Sequence, residues 1–209
     1  MDNCRIFSGL SKQQIKSAEQ QLEGSIRTYR PGEIIIGEDA IVDHIGIILK
    51  GHASIVKFTV SGRELLMQKL VPCDLVGAEI ACTRKKTAPY SVYSVSDSEI
   101  YWFSAEKILQ KGSIDDELRE LLFRNILYYV ADENMRKYHK IETVSFKGMR
   151  ERIVHYLNFQ RKMKGTDRFY INFNREELAN FLGVNRSALS HELKRMEKEG
   201  LIRFNKNYF

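Results

Sequence analysis

The sequence predicts an α+β chain in three successive parts: a domain of short strands, one long helix, and a small helical domain that ends in a hairpin. Three observations support this division. Up to about residue 103, runs of β-branched and aromatic residues alternate with turn-forming residues. No Gly or Pro occurs between Ser113 and Lys147, as is typical of an uninterrupted helix. The last part carries helix-capping signals and an excess of basic residues.

Short strands are predicted from about Ser25 to Phe103. The segments rich in β-branched, aliphatic or aromatic residues are Glu33–Ile36, Ile45–Leu49, Ala53–Phe58, Glu64–Leu70 and Glu99–Phe103. Turn signals separate them at Pro31-Gly32, Lys50-Gly51, Ser61-Gly62 and Pro72-Cys73-Asp74. This nearly regular spacing predicts a small all-β barrel, roll or sandwich. A short amphipathic helix around Lys12–Leu22 is expected to pack on its outside.

A long helix is predicted from about Ile114 to Tyr138. One stripe of this helix, at three- and four-residue spacing, consists of Leu118, Leu122, Asn125, Tyr129 and Asp132. Because the helix is apolar on more than one side, we interpret the stripe as a two-helix dimer seam, in which Asn125 or Asp132 would tune the register. The alternative interpretation is a core helix within a monomer.

Two consecutive helices are predicted near the C-terminus. Asn174 with Glu177 three positions later indicates a helix start, and Gly183 indicates its end. Asn185 then caps a second helix over residues 186–197. The apolar side chains that can interlock as the core of a helix-turn-helix are Leu178, Ala179, Leu182, Val184, Leu189 and Leu193.

The flanking segments predict a winged form of this motif. An amphipathic helix containing Met149, Ile153, Tyr156 and Leu157 precedes it, followed by a turn at Gly165–Asp167 and a short strand over 169–173. Residues 200–209 are interpreted as a β-hairpin with a polar tip, which is the wing. Its second strand has only begun where the sequence ends, so either the wing is minimal or the given sequence stops short of the natural terminus.

The charge distribution favours a nucleic-acid partner for the last part of the chain. From Ser145 onward there are 14 Lys/Arg and 7 Asp/Glu, whereas the first 144 residues hold 19 basic and 20 acidic residues. The second helix of the motif would enter the major groove N-terminus first, with Arg186 on a guanine and Lys194 on a phosphate. The predicted DNA-binding residues are Arg186, Ser187, Ser190, His191, Lys194, Arg175, Asn185 and Lys206.

Other broad classes of function are not expected. The sequence has no Gly-rich phosphate loop, no paired metal-ligand spacing and no Gly-x-Ser-x-Gly, so we predict no enzyme, no catalytic residue and no metal site. No apolar run approaches the roughly 18 residues of a membrane span, and no signal peptide is evident. Cys4, Cys73 and Cys82 are far apart, which predicts unpaired thiols and a cytoplasmic location.

Several short segments match motifs of one known family. They are Tyr29–Glu33, Ile47–Gly51, Ser61–Glu64, Asp74–Gly77, Arg175–Ala179, Gly183–Arg186, Ser187–Ser190 and Lys194–Ile202. With these, the chain resembles the Crp-Fnr family, that of the cyclic-AMP receptor protein and the fumarate-nitrate reduction regulator, over essentially its whole length. The resemblance implies a cyclic-nucleotide-binding-like β-roll (1–112), a long dimerisation helix (113–142) and a winged helix-turn-helix (143–209). It further implies a homodimer on palindromic double-stranded DNA, an effector in the β-roll, and room for a contact with RNA polymerase.

The effector is not predicted to be cyclic AMP. Compared with members that bind this nucleotide, Gly77-Ala78-Glu79 carries an inserted residue and Thr87–Ser91 lacks the phosphate-binding Arg. Residues 114–142 also contain no Ser or Thr that could recognise the base. Three Cys cannot supply the four thiolates of an iron–sulfur cluster, and only His44 and His52 could ligate a haem, so we expect no cofactor. The effector pocket implied by the resemblance consists of Gly77, Glu79, Ile80, Tyr90, Ser91 and Asn125.

One alternative function stays open: a cyclic-nucleotide- or small-molecule-binding regulatory module that acts on a protein partner. A protein-docking helix would more often expose an apolar stripe than the polar face that contains Arg186 and Ser190. The chain also departs from the family at His191, where Arg is common. Because His is shorter and largely neutral at pH 7, we predict an altered preference at one base pair of each half-site.

Overall fold

The structure is a computed structural model of the 209-residue chain and describes residues 4–60, 62 and 64–209. By its internal contacts the chain divides into two compact units, Met1–Glu133 and Asn134–Phe209. The predicted turn at Ser61-Gly62 and the motif Ser61–Glu64 fall partly outside the described residues, since Ser61 and Arg63 are not among them.

The first unit is a β-roll of two antiparallel sheets. Its strands are β1 (Ser25–Tyr29), β2 (Ile34–Ile36), β3 (His44–Lys50), β4 (Ala53–Phe58), β5 (Glu64–Leu70), β6 (Leu75–Val76), β7 (Ser91–Ser94) and β8 (Ser98–Ser104). One sheet has the order β1-β8-β3-β6 and the other β2-β7-β4-β5. Successive strands such as β1 and β2 therefore belong to different sheets, and the apolar side chains of both sheets share one core.

Each of the five predicted strands corresponds to a strand of the roll, and β1, β6 and β7 come in addition. These three strands have weak sequence signals. Strand β1 is exposed along most of its length, β6 has only two residues, and β7 contains two serines. None of them therefore shows the extended β-branched run on which strand prediction depends.

Helices complete the first unit. Helix α1 (Lys12–Leu22) begins at a capping box formed by Ser11 and Gln14, as expected for the predicted amphipathic helix. Helices α2 (Ala78–Ala81) and α3 (Glu106–Leu109) are single turns. A 3₁₀ turn precedes α1 at Arg5–Phe7. The side chains through which α1 packs on the roll are Ile15, Ala18 and Leu22.

Helix α4 (Asp116–Ser145) is the predicted long helix, but it ends seven residues beyond the expected end near Tyr138. Its stripe also has a different role from the one expected. The side chains Leu118, Leu122, Asn125 and Tyr129 are buried in the β-roll of their own unit. The stripe thus packs into its own unit, as expected for a core helix, and does not lie free to form the interpreted dimer seam. The opposite face keeps apolar side chains exposed, including Phe123 and Leu127.

The second unit is helical and has its own core. After the end of α4 come α5 (Met149–Lys164), α6 (Arg175–Leu182) and α7 (Arg186–Lys198). The predicted strand over residues 169–173 is not a regular strand, because its pairing is limited to isolated bridges and backbone hydrogen bonds with residues 207–209. The buried side chains of this core include Ile153, Tyr156, Phe169, Leu178, Leu182, Leu189, Leu193, Met196 and Phe209.

Two of the three cysteines are bonded to each other, contrary to the prediction of unpaired thiols. Cys4 and Cys73 form a disulfide, with their Cα atoms 4.5 Å apart, whereas Cys82 is free. The sequence separation of 69 residues hides this pair, since the 3₁₀ turn at Arg5–Phe7 packs into the same core as the strands. Spacing alone could not identify two residues that meet only after the roll has formed.

Candidate nucleic-acid interface

Local sequence signals determine where α6 and α7 begin and end. The Asn174 side chain accepts hydrogen bonds from the backbone N–H groups of Glu176 and Glu177 (3.0 and 2.9 Å), and the Glu177 carboxylate accepts one from Asn174 N (2.7 Å). Gly183 ends α6 at φ +66°, a left-handed conformation that favours glycine. Asn185 Oδ1 accepts hydrogen bonds from the backbone N–H groups of Ser187 and Ala188 (2.9 and 3.2 Å), which caps α7. The predicted starts of both helices are thus confirmed.

The inner faces of the two helices form the core of a helix-turn-helix. Leu178, Ala179 and Leu182 of α6 are buried, as are Leu189 and Leu193 of α7. The predicted Val184 in the turn is partly buried against the same cluster. Since one side of α7 is committed to this core, its other side faces solvent.

The outer face of α7 is polar and cationic. Arg186, Ser187, His191 and Lys194 are exposed. Within the described residues, the side chains of Arg186, His191 and Lys194 make no hydrogen bond or ion pair. Ser190 differs, because it is half-buried and its hydroxyl donates to the Arg186 carbonyl oxygen at 3.0 Å. Three cationic or ionisable side chains on one helix face are therefore available to an external partner.

Arg175 is the first residue of α6, and Lys206 lies in the segment predicted to be the wing, so neither is on the outer face of α7. In that segment the predicted β-hairpin consists of isolated bridges, such as the one between Asn205 and Tyr208, instead of regular strands. Arg175 donates from Nη2 to the carbonyl oxygen of Lys206 (2.9 Å), and its guanidinium lies 5.1 Å from the centre of the Phe204 ring. Burial lowers the pKa of Arg175. Lys206 lies in the tight turn of the hairpin between Asn205 and Tyr208, and its side chain is exposed. Arg175 therefore braces the wing, and Lys206 is presented at its tip.

Sequence reasoning missed the two arginines of α5 that hold the motif in place. Arg150 donates to Glu192 on α7 (2.5 Å) and, through both terminal nitrogens, to Glu199 just beyond it (2.7 and 3.1 Å). These hydrogen bonds raise the pKa of Arg150 and lower that of Glu199. Arg152 donates to the last carbonyl of α6, Leu182 O, at 2.9 Å. Because these partners are 30 to 49 residues away, no local pattern marks them.

Inside the β-roll, the structure brings together two of the six predicted effector residues. The Tyr90 hydroxyl donates to Glu79 at 2.5 Å. Burial and the Glu79 carboxylate raise the pKa of Tyr90, with smaller contributions from Tyr129 and Glu133. Glu133, only 5% exposed, accepts a hydrogen bond from Gln68 at 2.6 Å. Glu133 follows the stripe of α4 by one turn and could have been found there as a carboxylate on an apolar face.

The other four predicted effector residues serve the fold itself. Gly77 has φ +75°, and a Cβ there would lie 3.0 Å from Val42, so the position favours glycine. Ile80 is part of the core, and the hydroxyl of the buried Ser91 accepts from a backbone N–H of the neighbouring turn at 3.1 Å. Asn125 donates both amide hydrogens to the N-terminal segment. The amide of Asn125, predicted to line the effector pocket, is thus engaged by the N-terminal segment.

The side chains considered as metal or haem ligands were located within the described residues. No group of three or more His, Cys, Asp or Glu side chains there could hold a metal ion. His44 and His52, the two histidines weighed as haem ligands, are both exposed. In the same part of the chain, no helix has the length and apolar character needed to cross a bilayer.

A β-roll followed by a long helix and a capped helix-turn-helix with a cationic face defines a regulator that joins a sensory domain to a DNA-binding domain. Two family models match the chain accordingly: the cyclic nucleotide-binding domain over residues 26–113 and the Crp-like helix-turn-helix domain over residues 151–208. The chain belongs to the Crp-Fnr family of transcription regulators.

Individual relatives agree with this assignment. The transcriptional activator protein FnrL of Cereibacter sphaeroides is 22% identical over 84% of this chain and 71% of its own length. The c-di-GMP-responsive global regulator CLP of Xanthomonas campestris has the same fold, with a TM-score of 0.70 at 17% identity over 95% of this chain and 97% of CLP. A mutant of CooA from Carboxydothermus hydrogenoformans gives a TM-score of 0.71 at 17% identity over 90% and 84% of the two chains.

Proposed function

We propose that this regulator acts as a homodimer on a two-fold palindromic DNA site, which it reads with the outer face of α7. The observation that carries the proposal is that Arg186, His191 and Lys194 are exposed and unengaged on one face of a capped helix. Arg186 lies in the first turn, where a recognition helix meets base edges, and can bind a guanine through two hydrogen bonds. Lys194, two turns on, is suited to a phosphate.

The surroundings of α7 support its use as a rigid reading element. Arg150 ties α7 to α5, and Asn185 keeps its first turn wound. The side chains of Asn185 and Ser190 are occupied by the helix backbone. We therefore propose that these two residues hold the reading face in shape, while Arg186, Ser187, His191 and Lys194 contact DNA. Lys206 at the wing tip would add a phosphate contact.

The homodimer is proposed to form through the exposed face of α4. Phe123 and Leu127 lie on the side of the helix opposite the buried Leu122 and follow each other by one turn. Tyr138 and Ile141 are exposed further along the same helix. An apolar face on a long helix is costly in water and is covered when two such helices pack together.

The effector of the β-roll is proposed to be something other than cyclic AMP. The polar side chains around Tyr90 include the carboxylates of Glu79 and Glu133, which would repel a cyclic phosphate. The nearest basic residues in sequence are Arg84, Lys85 and Lys86; the first two are exposed, and Lys86 lies 4.0 Å from a carboxylate of α3. This supports an effector without a phosphate group, or a regulator that is competent alone. We also propose a cytoplasmic location, where the DNA is.

Selection of genomic fragments tests the DNA-binding proposal. The purified chain is mixed with sheared genomic DNA at moderate salt with no ligand added, and the bound fragments are sequenced. We expect a palindrome whose half-sites are about one helical turn apart. Affinity for that site should fall steeply with salt, and Lys194→Ala should reduce the salt slope by about one.

A matched control is Lys12→Ala, a substitution of an exposed lysine in the other unit, which should leave the slope unchanged. Recovery of no sequence above background, both alone and with cell extract added, would contradict DNA binding. A recovered site without two-fold symmetry would contradict the homodimer while leaving DNA reading by α7 intact.

A further inference from the structure

The disulfide between Cys4 and Cys73 joins the N-terminal segment to a turn of the β-roll. Cys4 is 3% exposed, whereas Cys73 is partly exposed. Cys73 is the third residue of the turn Val71–Asp74, in which Asp74 N donates to Val71 O at 3.0 Å. Its φ of +75° is left-handed, a conformation that such turns usually reserve for Gly or Asn. A cysteine at this position is costly to the backbone, which points to a use for its sulfur.

Helix α4 binds both of the segments that the disulfide joins, through two side chains that lie one turn apart. Asn125 donates to the carbonyl oxygens of Ile6 and Ser8, each at 2.8 Å. The Tyr129 hydroxyl accepts from Leu75 N at 3.0 Å and lies 3.3 Å from Leu75 O, two residues beyond Cys73. The disulfide therefore joins, by a covalent bond, two segments that α4 binds through neighbouring side chains on one face.

We infer that Cys4 and Cys73 are a redox-reactive site, whose reductant is a dithiol and whose oxidant is a peroxide, and that its state controls how the N-terminal segment is held on α4. The inference rests on the proposed function in one respect: in a compartment that holds DNA, disulfides are rare and usually transient or redox-sensing. Because α4 also carries the proposed dimer face, the state of this pair would bear on DNA affinity.

The third cysteine, Cys82, is a free and exposed thiol outside this pair. Loss of solvent around its sulfur and the neighbouring Glu79 carboxylate raise the pKa of the Cys82 thiol. A raised pKa leaves less of the nucleophilic thiolate at neutral pH. Cys82 thus serves as an internal reference, a free thiol that is not part of the pair.

The reduction is a two-step exchange. One thiolate of the dithiol attacks the sulfur of Cys73, the more exposed residue of the pair; the bond between the two cysteines breaks, and Cys4 leaves as a thiolate that takes a proton. The second thiol of the reductant then attacks the mixed disulfide, releases Cys73 as a thiol and closes the reductant's own disulfide. In the reverse direction, hydrogen peroxide oxidises one thiol to a sulfenic acid with loss of water. The other thiol condenses with it, and a second water leaves.

Reduction removes the covalent tie and leaves the segment held by its own contacts. These are the buried Ile6 and Phe7, the two hydrogen bonds from Asn125, and an exposed ion pair between Arg5 and Asp132 at 3.7 Å. The backbone N–H groups of Phe7, Ser8 and Leu10, which bond within this segment, report its opening through hydrogen exchange.

The experiment compares the full-length chain after treatment with hydrogen peroxide and after treatment with dithiothreitol, without denaturant. Alkylation followed by mass spectrometry counts free thiols, and hydrogen exchange follows residues 5–10 and 118–129. We expect one free thiol after peroxide and three after dithiothreitol. Exchange of residues 5–10 should become at least ten-fold faster on reduction. Cys82→Ser should respond as the parent does, and Cys4→Ser should exchange fast in both conditions.

A pair that stays oxidised in the native chain under excess dithiothreitol would overturn the inference, since it would then be a purely structural bond. Reduction without any change in exchange would overturn it equally, and neither result depends on Cys4→Ser folding. DNA affinity is measured on the same samples, with the palindromic fragment. If neither form binds DNA, the proposed function fails, whereas the thiol count and the exchange rates still decide the redox site.

Discussion

Replacing Leu127 by alanine tests whether the exposed face of α4, and not its buried face, forms the dimer. Leu127 is 56% exposed, and Leu122, about one turn earlier in the helix, is completely buried in the β-roll. If the exposed face forms the dimer, Leu127→Ala should weaken association and leave the stability of the β-roll unchanged. Leu122→Ala should do the opposite and destabilise the roll by about 2–5 kcal/mol, the usual range for a buried leucine.

The size of the effect on the dimer follows from the exposed fraction. Complete burial of a leucine side chain contributes about 1.5–3 kcal/mol, so covering the exposed 56% of Leu127 contributes about 0.8–1.7 kcal/mol in each protomer. Two copies give about 1.7–3.4 kcal/mol. At 1.4 kcal/mol for each factor of ten, Leu127→Ala should raise the dimer Kd by about 15- to 250-fold.

Two measurements distinguish these outcomes. Sedimentation equilibrium gives the dimer Kd, and urea unfolding followed by tryptophan fluorescence gives the stability of the roll, because Trp102 in β8 is the one tryptophan of the chain. A Kd for Leu127→Ala within threefold of the parent value would refute the assignment of the exposed face. Unchanged unfolding of Leu122→Ala would refute the assignment of the buried face.

Three further changes probe the second unit. His191→Arg should alter the preferred base at one position of each half-site by about 1–3 kcal/mol, and an unchanged sequence preference after selection would count against it. Asn185→Ala should lower the free energy of unfolding by about 1 kcal/mol, since two N–H groups of α7 lose their acceptor. The measurement is urea unfolding followed by circular dichroism, and a decrease below about 0.3 kcal/mol would argue against the cap. Burial lowers the pKa of Lys140 to about 8, whereas in the unfolded chain a lysine titrates at about 10.4. Between these pH values only the unfolded chain holds the proton, so the free energy of unfolding should rise with pH in the parent and not in Lys140→Met. An equal pH dependence of the unfolding free energy in the two chains would contradict this.

The helix-turn-helix could be predicted almost completely from the sequence because its signals are local. Asn174 and Asn185 each cap N–H groups only two or three residues further along the chain. Gly183 adopts the left-handed conformation that ends α6 because glycine tolerates it without any tertiary contact. The longer strands β3, β4 and β5 could be predicted for the same reason, since each contains a short run of aliphatic or β-branched residues. Strand β6 has only two residues and therefore contains no apolar run from which a strand could be predicted.

The candidate site was only partly predictable. The exposed cationic residues of α7 follow from helical periodicity once its buried leucines are recognised. The orienting contacts from Arg150 do not, because Glu192 and Glu199 are 42 and 49 residues away in the chain. In the β-roll, Glu79 and Tyr90 are only eleven residues apart, yet their hydrogen bond depends on the pairing of strands.

Sequence by itself determined the order of the main elements, the ends of α6 and α7 and the exposed cationic face of α7, because each depends on residues within one or two turns of each other. Tertiary structure alone decided which face of α4 is buried, since Leu122 and Phe123 are equally apolar and only the docked β-roll distinguishes them. It also decided that Cys4 meets Cys73, and that Asn125 holds the N-terminal segment instead of a dimer partner or an effector. Contacts between distant segments form only when the chain has folded, so no local pattern encodes them.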